Sequence, residues 1–440
     1  MKKMTERLNV KRTGVVRRVV EPTAYGLGLS LYRAGISAAS LFNKKARLLE
    51  KGQREVWRSL ENELWKEPGC VWIHCASLGE FEQGRPLIER IRRERPDKKI
   101  LVTFFSPSGY EVRKNYRDAD MVCYLPIDVP GAASRFLDMV RPSMAVFVKY
   151  ELWRGYLTQL SRRGIPAILI SANFRADQAF FKRHSWYGDW LRTLDRIYVQ
   201  TPESKRLLEG IGIDCVTVAG DTRFDRVAHI RQEARSIPVL DRFAGRRGDS
   251  SHTSPVFIAG SSWAEDEAVY ADWLKSHEWV KGIIAPHEFD PSRLARLKTL
   301  FGSGTILKSE AEENPKLLES AKVLIIDCFG LLSSAYAYAD IAYVGGGFGV
   351  GIHNINEAAA FAIPVVYGPN HHKFVEAEEM KTLGGGISID GKDGFARVAD
   401  KLLDPVEREK RGRWAGEYID EKTGATDIIW RDIAAYWLTD

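Results

Sequence analysis

Cysteine is sparse in this 440-residue chain. Its five cysteines (Cys70, Cys75, Cys123, Cys215, Cys328) are odd in number, scattered, and include no CxxC pair. Most stand in apolar runs, where cysteine behaves as a small hydrophobe. The pattern argues against a disulfide framework or a structural zinc site, and fits a reducing compartment. Long hydrophobic runs are also missing. The longest charge-free stretch near the N-terminus, Pro22 to Tyr32, has 11 residues, about half of the ~20 that a spanning helix needs. Residues 1–24 are basic, without a signal peptide's apolar run or small-residue cleavage site. No GxGxxG opens the first βα unit, and no GK[ST], GxSxG, HExxH or Cys/His nucleophile arrangement is evident. His287, His353, His371 and His372 show no ligand-like spacing on one element, so no metal is expected.

What remains is globular: 45% apolar and 28% charged residues with mean hydropathy −0.26, too polar for a polytopic membrane protein. The length predicts two or three domains. Charge is unevenly placed. Residues 1–54 hold 13 Lys/Arg against Glu6, Glu21 and Glu50, a balance of +10, while the whole chain carries +6. The body is therefore mildly acidic, and a nucleic-acid partner is not implied. Apolar residues up to Tyr32, then Arg33, Lys44, Lys45, Arg47 and Lys51, describe either a helix in the headgroup region of an anionic membrane or one docked on the protein's own surface.

From Val71 onward short apolar runs alternate with amphipathic stretches. Runs at 71–77, 100–105, 121–126, 144–149, 166–171, 196–200 and 215–220 precede a polar segment, 231–254, that reads as a linker. The rhythm resumes at 256–261, 282–286, 322–327, 340–345, 363–368 and 386–389. Near-continuous apolar strands separated by helices predict parallel sheets covered on both faces. The expected fold is α/β: two Rossmann-like doubly wound domains facing a cleft, with ligands at the carboxyl ends of the strands. The expected division is 1–54 (basic arm and membrane-associated helix), 55–230, a linker at 231–254, and 255–440 with terminal helices.

Two constellations carry chemistry. In HCASLGEFEQGRP (74–86) a strand ends at Ser77, Leu78-Gly79-Glu80 reads as a turn, and a helix is expected from about Arg85-Pro86. Glu80 then stands at a strand's carboxyl end, either accepting a hydroxyl proton or stabilising a helix start. Glu82 reads as an ordinary helix-start acid. In YVGGGFGVGIHNINEAAAFAIPVVYG (343–368) five glycines precede a helix expected from about His353-Asn354. They either let backbone N–H groups approach an anion or mark a tight crossing of backbones. Glu357 in that helix is placed to accept ribose hydroxyls. Shorter motifs end other strands: KYELW (149–153), GDTRFD (220–225), APHE (285–288) and DCFGLL (327–332).

Together with TFFSPSGYE (103–111), YLPID (124–128) and SANFR (171–175), these motifs resemble the 3-deoxy-D-manno-octulosonic acid (Kdo) transferases of lipopolysaccharide synthesis, over about residues 25–430. The resemblance implies an inverting glycosyltransferase of the two-Rossmann-domain (GT-B) class. It would move Kdo from CMP-Kdo to a lipid A precursor (lipid IVA) at the cytoplasmic face of the inner membrane of a Gram-negative bacterium, without a metal. The first domain would take the acceptor and the second the CMP-sugar. By position, Glu80 would be the general base, with Glu151 and Arg223 as transition-state stabilisers. Pro286, His287, Gly330, Leu331, Leu332, Asn354, Ile355, Asn356 and Glu357 would form the nucleotide pocket. Many members carry Lys where Arg223 stands, and HNPLE where this chain has HNINE. The rival readings are a same-fold transferase or epimerase using a UDP-sugar, and a membrane-associated carbohydrate-binding scaffold.

Overall fold

The computed structural model describes residues 20–61, 68–182 and 187–436; the first 19 residues of the basic arm lie outside them. The chain divides into two units: residues 1–226 with 423–440, and residues 227–422.

In the first unit, β1 (Val71–Cys75), β2 (Ile100–Phe104), β3 (Met121–Tyr124), β4 (Met144–Val148), β5 (Ala167–Ala172), β6 (Arg196–Val199) and β7 (Val216–Val218) form one parallel sheet, ordered β3-β2-β1-β4-β5-β6-β7. All seven coincide with the apolar runs of the sequence. Alternate residues feed two cores. Trp72, Leu101 and Phe147 enter one; Val71, Ile73, Val102 and Val146 enter the other. That is why the strands read as unbroken apolar runs rather than alternating ones.

The second unit repeats the plan. It contains β8 (Val256–Ser262), β9 (Lys281–Pro286), β10 (Thr305–Leu307), β11 (Val323–Ile325), β12 (Ile341–Val344), β13 (Val365–Tyr367) and β14 (Gly386–Ser388), ordered β10-β11-β9-β8-β12-β13-β14. Six were expected. β10 was not, because it is a three-residue edge strand preceded by Gly302 and Gly304, too short to make a run.

The domain expectation needs two corrections. Residues 231–254 are not a free linker. They lie in the second unit, where helix Pro238–Phe243 buries Val239, Leu240 and Phe243, and Arg247 binds the Phe361 and Ala362 carbonyls at 3.0 Å. The terminal helix Ala425–Tyr436 does not belong to the second unit. Ala425, Ile429, Trp430 and Ile433 complete a core of the first, Tyr198 binds Asp432 at 2.8 Å, and Trp430 binds Glu94 at 3.1 Å. The polar composition of 231–254 concealed the first point, and no local pattern announces the second.

Before β1, helices Val20–Ala39 and Lys44–Leu60 dock on the first unit. Asn43 caps the second helix through the Lys45 and Ala46 N–H groups. Buried Gln53 donates to the Leu125 carbonyl at 2.7 Å and accepts from Ile127 N–H at 2.8 Å. Gly52 lies flat against the Tyr124 ring, where a Cβ would sit 2.1 Å from Cδ2. Tyr25 O–H donates to buried Asp128 at 2.9 Å. Part of this segment is thus docked on its own protein. The rest is bare: Leu27, Leu31, Leu41 and Phe42 are 62%, 66%, 69% and 90% exposed. Among the described residues no helix is long and apolar enough to cross a membrane.

Candidate active site

In a doubly wound sheet the ligand crevice opens where successive strands depart in opposite directions. In the first unit this is between β1 and β4, and Glu80 follows β1 while Glu151 follows β4. The helix after β1 starts at Leu78, earlier than expected, and Pro86 lies inside it. Ser77-Leu78-Gly79-Glu80 is a capping box: Ser77 Oγ accepts from Glu80 N–H, and Glu80 Oε2 accepts from Ser77 N–H at 3.2 Å and Ala76 N–H at 2.6 Å. The S-x-x-E spacing is the sequence signal that a turn reading passes over. Glu80 therefore does stabilise the helix start, yet through one oxygen only. Oε1 has no hydrogen bond among the described residues.

Burial raises the Glu80 pKa, against the lowering pull of the Ala76 and Ser77 N–H groups and Lys149. Glu151 is pushed up to about 7, by burial first and then by the Glu80 charge. Two carboxylates face one another electrostatically at the switch point, and their environments set them apart. Two non-glycine residues with positive φ lie on this side of the sheet: Lys149 at 60° just after β4 and Ser171 at 54° in the neighbouring β5. Such conformations cost of order 1–3 kcal/mol each and concentrate at functional sites.

Arg223 opens the helix Thr222–Gln232 after β7. Its Nε and Nη2 hold Asp221 Oδ2 at 2.9 and 2.7 Å. Asp221 is 6% exposed and also accepts from Gln83, Gln200 and the Arg223 N–H. Gln83 lies on the Glu80 helix, so the GDTRFD motif is tied to that helix. Thr222 Oγ1 adds a bond to the Gln83 carbonyl. Asp225, the last residue of the motif, accepts from Thr426 and Gly424; it anchors the returning C-terminal segment. Glu82 pairs with Arg113 at 2.7 Å, a surface role.

The switch point of the second unit lies between β8 and β12. Here Trp263, His287 and His353 form a stack, with ring centroids 4.4 Å and 4.6 Å apart. Trp263 Nε1–H donates to His353 Nε2 at 3.2 Å, so a neutral His353 carries its proton on Nδ1. Burial lowers the His353 pKa, and neighbouring His287 lowers it further. Trp263 was missed in the sequence. The signal was its place at the end of the Gly-Ser-Ser run of β8, where Ser261 has φ 53°.

The other residues expected in the nucleotide pocket cluster less evenly. Glu357 accepts from Ser333 Oγ at 2.5 Å and Asn354 Nδ2 at 3.1 Å, and Ser333 follows Gly330, Leu331 and Leu332 directly. These residues and the APHE loop stand at the ends of the neighbouring strands β11 and β9. Pro286, Ile355 and Asn356 are buried, so Pro286 and Ile355 offer backbone rather than side chain. The helix after the glycines spans only Asn356–Ala359, later than expected, because Asn354 Oδ1 accepts Asn356 N–H in a turn of its own.

The glycines themselves serve backbone packing. A Cβ on Gly345 would sit 2.4 Å from the Ser261 carbonyl oxygen, and one on Gly347 would sit 2.6 Å from Gly368 Cα. The N–H groups of Gly345, Gly346, Gly349 and Gly351 are bonded internally. Of the two readings open for this loop, the tight crossing accounts for most of it.

A family model described as 3-deoxy-D-manno-octulosonic-acid transferase (kdotransferase) matches residues 45–226. The chain is 28% identical over 342 residues to a 3-deoxy-D-manno-octulosonic acid transferase of Aquifex aeolicus, covering 76% of this chain and 86% of that one. It is 27% identical over 377 residues to the Haemophilus influenzae enzyme of the same name, covering 81% and 85%. Among solved structures, a UDP-GlcNAc 2-epimerase from Neisseria meningitidis bound to UDP-GlcNAc shares the fold, with TM-score 0.55, 15% identity and coverage of 83% and 99%. With two seven-stranded doubly wound sheets, paired carboxylates at the first switch point and relatives matching most of its length, this chain is similar to the Kdo transferases, whose family model covers its first unit from residue 45 to 226.

Proposed function

We propose that the protein is a glycosyltransferase that moves Kdo from CMP-Kdo to a hydroxyl of a lipid A precursor, lipid IVA, with inversion at the anomeric carbon. The observation that carries this reading is Glu80: a partly buried carboxylate fixed by two backbone N–H groups through Oε2, with Oε1 left for a proton. A phosphate is already a good leaving group, so one base on the acceptor hydroxyl and cationic support for the departing charge suffice. Glu80 is the base. Arg223 supplies the cation, held in orientation by Asp221. Glu151, whose pKa of about 7 leaves it substantially protonated at neutral pH, donates a hydrogen bond to a substrate oxygen. The nucleotide lies on the second unit, with Glu357 on the ribose and the APHE and DCFGLL loops around it. No metal takes part in this scheme. Mass spectrometry of the product from purified protein, CMP-Kdo and lipid IVA tests the reading. Addition of Kdo mass with CMP release is expected; UDP-sugar turnover instead would move the protein to the rival class.

The Glu151 assignment predicts a pH profile. Above about pH 7 Glu151 loses its proton, the donor disappears, and a second negative charge stands beside Glu80. Turnover therefore falls on the alkaline side, and on the acid side it falls as Glu80 gains a proton. The apparent values belong to the pair. Glu151→Gln, a permanent donor, should lose the alkaline limb. Retention of that limb unchanged would assign it to another group.

We also propose that the N-terminal segment lies on an anionic membrane surface at the cytoplasmic face. Leu27 and Leu31 share one helix face, and Leu41 and Phe42 stand beside Lys44, Lys45 and Arg47. Each cation near such a surface is worth about 1 kcal/mol. Leu31→Glu/Phe42→Glu should weaken co-sedimentation with anionic liposomes, and removal of residues 1–24 should reduce its salt dependence. Binding unaltered by both changes would place attachment elsewhere.

A further inference from the structure

Between β13 and the helix Val375–Leu383 of the second unit, the chain reads Asn370-His371-His372-Lys373-Phe374. The turn brings both histidines onto one carboxylate of the helix that follows. His372 Nδ1 lies 2.7 Å from Glu378 Oε1, and His371 Nδ1 lies 3.0 Å from the same oxygen. The three ligand atoms all lie within 4.8 Å of one another. Spacing on a single element could not reveal this, because the carboxylate belongs to the next element.

The two rings differ in what holds them. His372 is exposed and hydrogen-bonded to Glu378. The His371 side chain is 2% exposed and packs edge-on to Tyr367 with centroids 5.2 Å apart. Despite its short distance to Glu378, the buried Nδ1 makes no hydrogen bond among the described residues. A buried ring nitrogen in that state has exchanged its hydration for an ion-pair contact with no aligned hydrogen bond. It is aimed at an anionic oxygen, with a second imidazole nitrogen alongside.

We propose that His371, His372 and Glu378 bind a divalent cation of the zinc class. Two imidazoles and one carboxylate are a donor set suited to Zn²⁺, with the fourth position taken by water on the exposed side. Mg²⁺ and Ca²⁺, which prefer several oxygens, suit it poorly. Lys381 is the opposing charge, acting on both His371 and Glu378; its flexible stem lets the ammonium swing to solvent as the cation enters. The ion stands outside the transfer chemistry. Its effect is mechanical: Asn370, next to His371, donates to the carbonyls of Gly347 and Gly349 at 2.9 and 2.7 Å. A cation clamping the turn to the helix would also fasten the glycine-rich loop.

The test uses the full chain, freed of metal with a chelator and titrated with Co²⁺. One equivalent should bind, with visible bands of a four- or five-coordinate nitrogen/oxygen site and no thiolate charge-transfer band, and Zn²⁺ should displace it. The variant His372→Ala/Glu378→Gln removes two of three ligands at positions that are not buried. Its Co²⁺ dissociation constant should rise at least 100-fold, while far-UV circular dichroism and CMP affinity confirm an intact fold. A double variant that binds Co²⁺ like the wild type would overturn the proposal. So would a thiolate spectrum, or a wild-type dissociation constant in the millimolar range.

Discussion

Glu80→Gln should lower kcat by about 10² to 10⁴, the usual range for a general base, which is roughly 2.7–5.4 kcal/mol of barrier at 1.36 kcal/mol per decade. The amide keeps an oxygen that can accept from Ala76 N–H, so the geometry of the helix start survives, but it has no useful basicity. Two opposed effects bear on stability. Loss of the charged cap at a helix N-terminus costs about 0.3–1 kcal/mol. Removal of a charge whose burial raises its pKa acts in the opposite direction. The melting temperature should therefore move little. CMP should still bind, since the nucleotide contacts are assigned to the second unit. Steady-state rates and calorimetry with CMP check both halves. Turnover within about threefold of wild type would remove Glu80 from the base role, and lost CMP binding in a folded variant would make it a binding residue.

Arg223→Ala is the second large effect. Removing one preorganised charge stabiliser costs about 10² to 10³ in kcat. The fold should tolerate the change, because Asp221 keeps Gln83, Gln200 and the residue-223 N–H as donors. Arg223→Lys restores the charge as a compact point rather than a planar fork, and should recover most of the lost rate. Two measurements read this together: kcat with CMP-Kdo, and the urea midpoint of each variant. Equal losses for Ala and Lys would mean that the fork geometry, not the charge, is what the site uses. A loss below about threefold for Ala would take Arg223 out of the reaction.

Much of the architecture is legible in the sequence because both sheets are buried on both faces. Continuous apolar runs marked thirteen strands, and the alternation with helices gave the doubly wound class. Legibility fails where structure depends on partners far along the chain. β10 is a three-residue edge strand supported by β11. Helix Ala425–Tyr436 has an apolar face like many others, and the polar partners that fix its destination, Asp225, Tyr198 and Glu94, all stand about 200 residues or more earlier. Around the candidate site, the sequence runs already placed Glu80, Glu151 and Arg223 just beyond strand ends, where the structure also has them, and Glu357 in the short helix after β12. The stack of Trp263 on His287 and His353 was hidden because three separate strand ends supply it. The same limit hid Glu378, which meets His371 and His372 only once the turn closes. The glycine-rich loop shows the opposite failure: its composition suggests a ligand, whereas its N–H groups are mostly committed to backbone partners.

The return of residues 423–436 to the first unit has a consequence for synthesis. On the ribosome the seven strands of that unit emerge before the second unit, yet one face of their sheet lacks Ala425, Ile429, Trp430 and Ile433 until residues 227–422 have been made. At about 5–20 residues per second, the intervening segment 227–422 takes roughly 10–40 s. Throughout that interval the early-made half presents the unfilled groove beside Tyr198 and Glu94 that the last helix will occupy. The insert, by contrast, holds its whole sheet in one continuous stretch and can close while the first unit waits. Premature termination near residue 422 would thus release a chain whose defect lies in the half translated first.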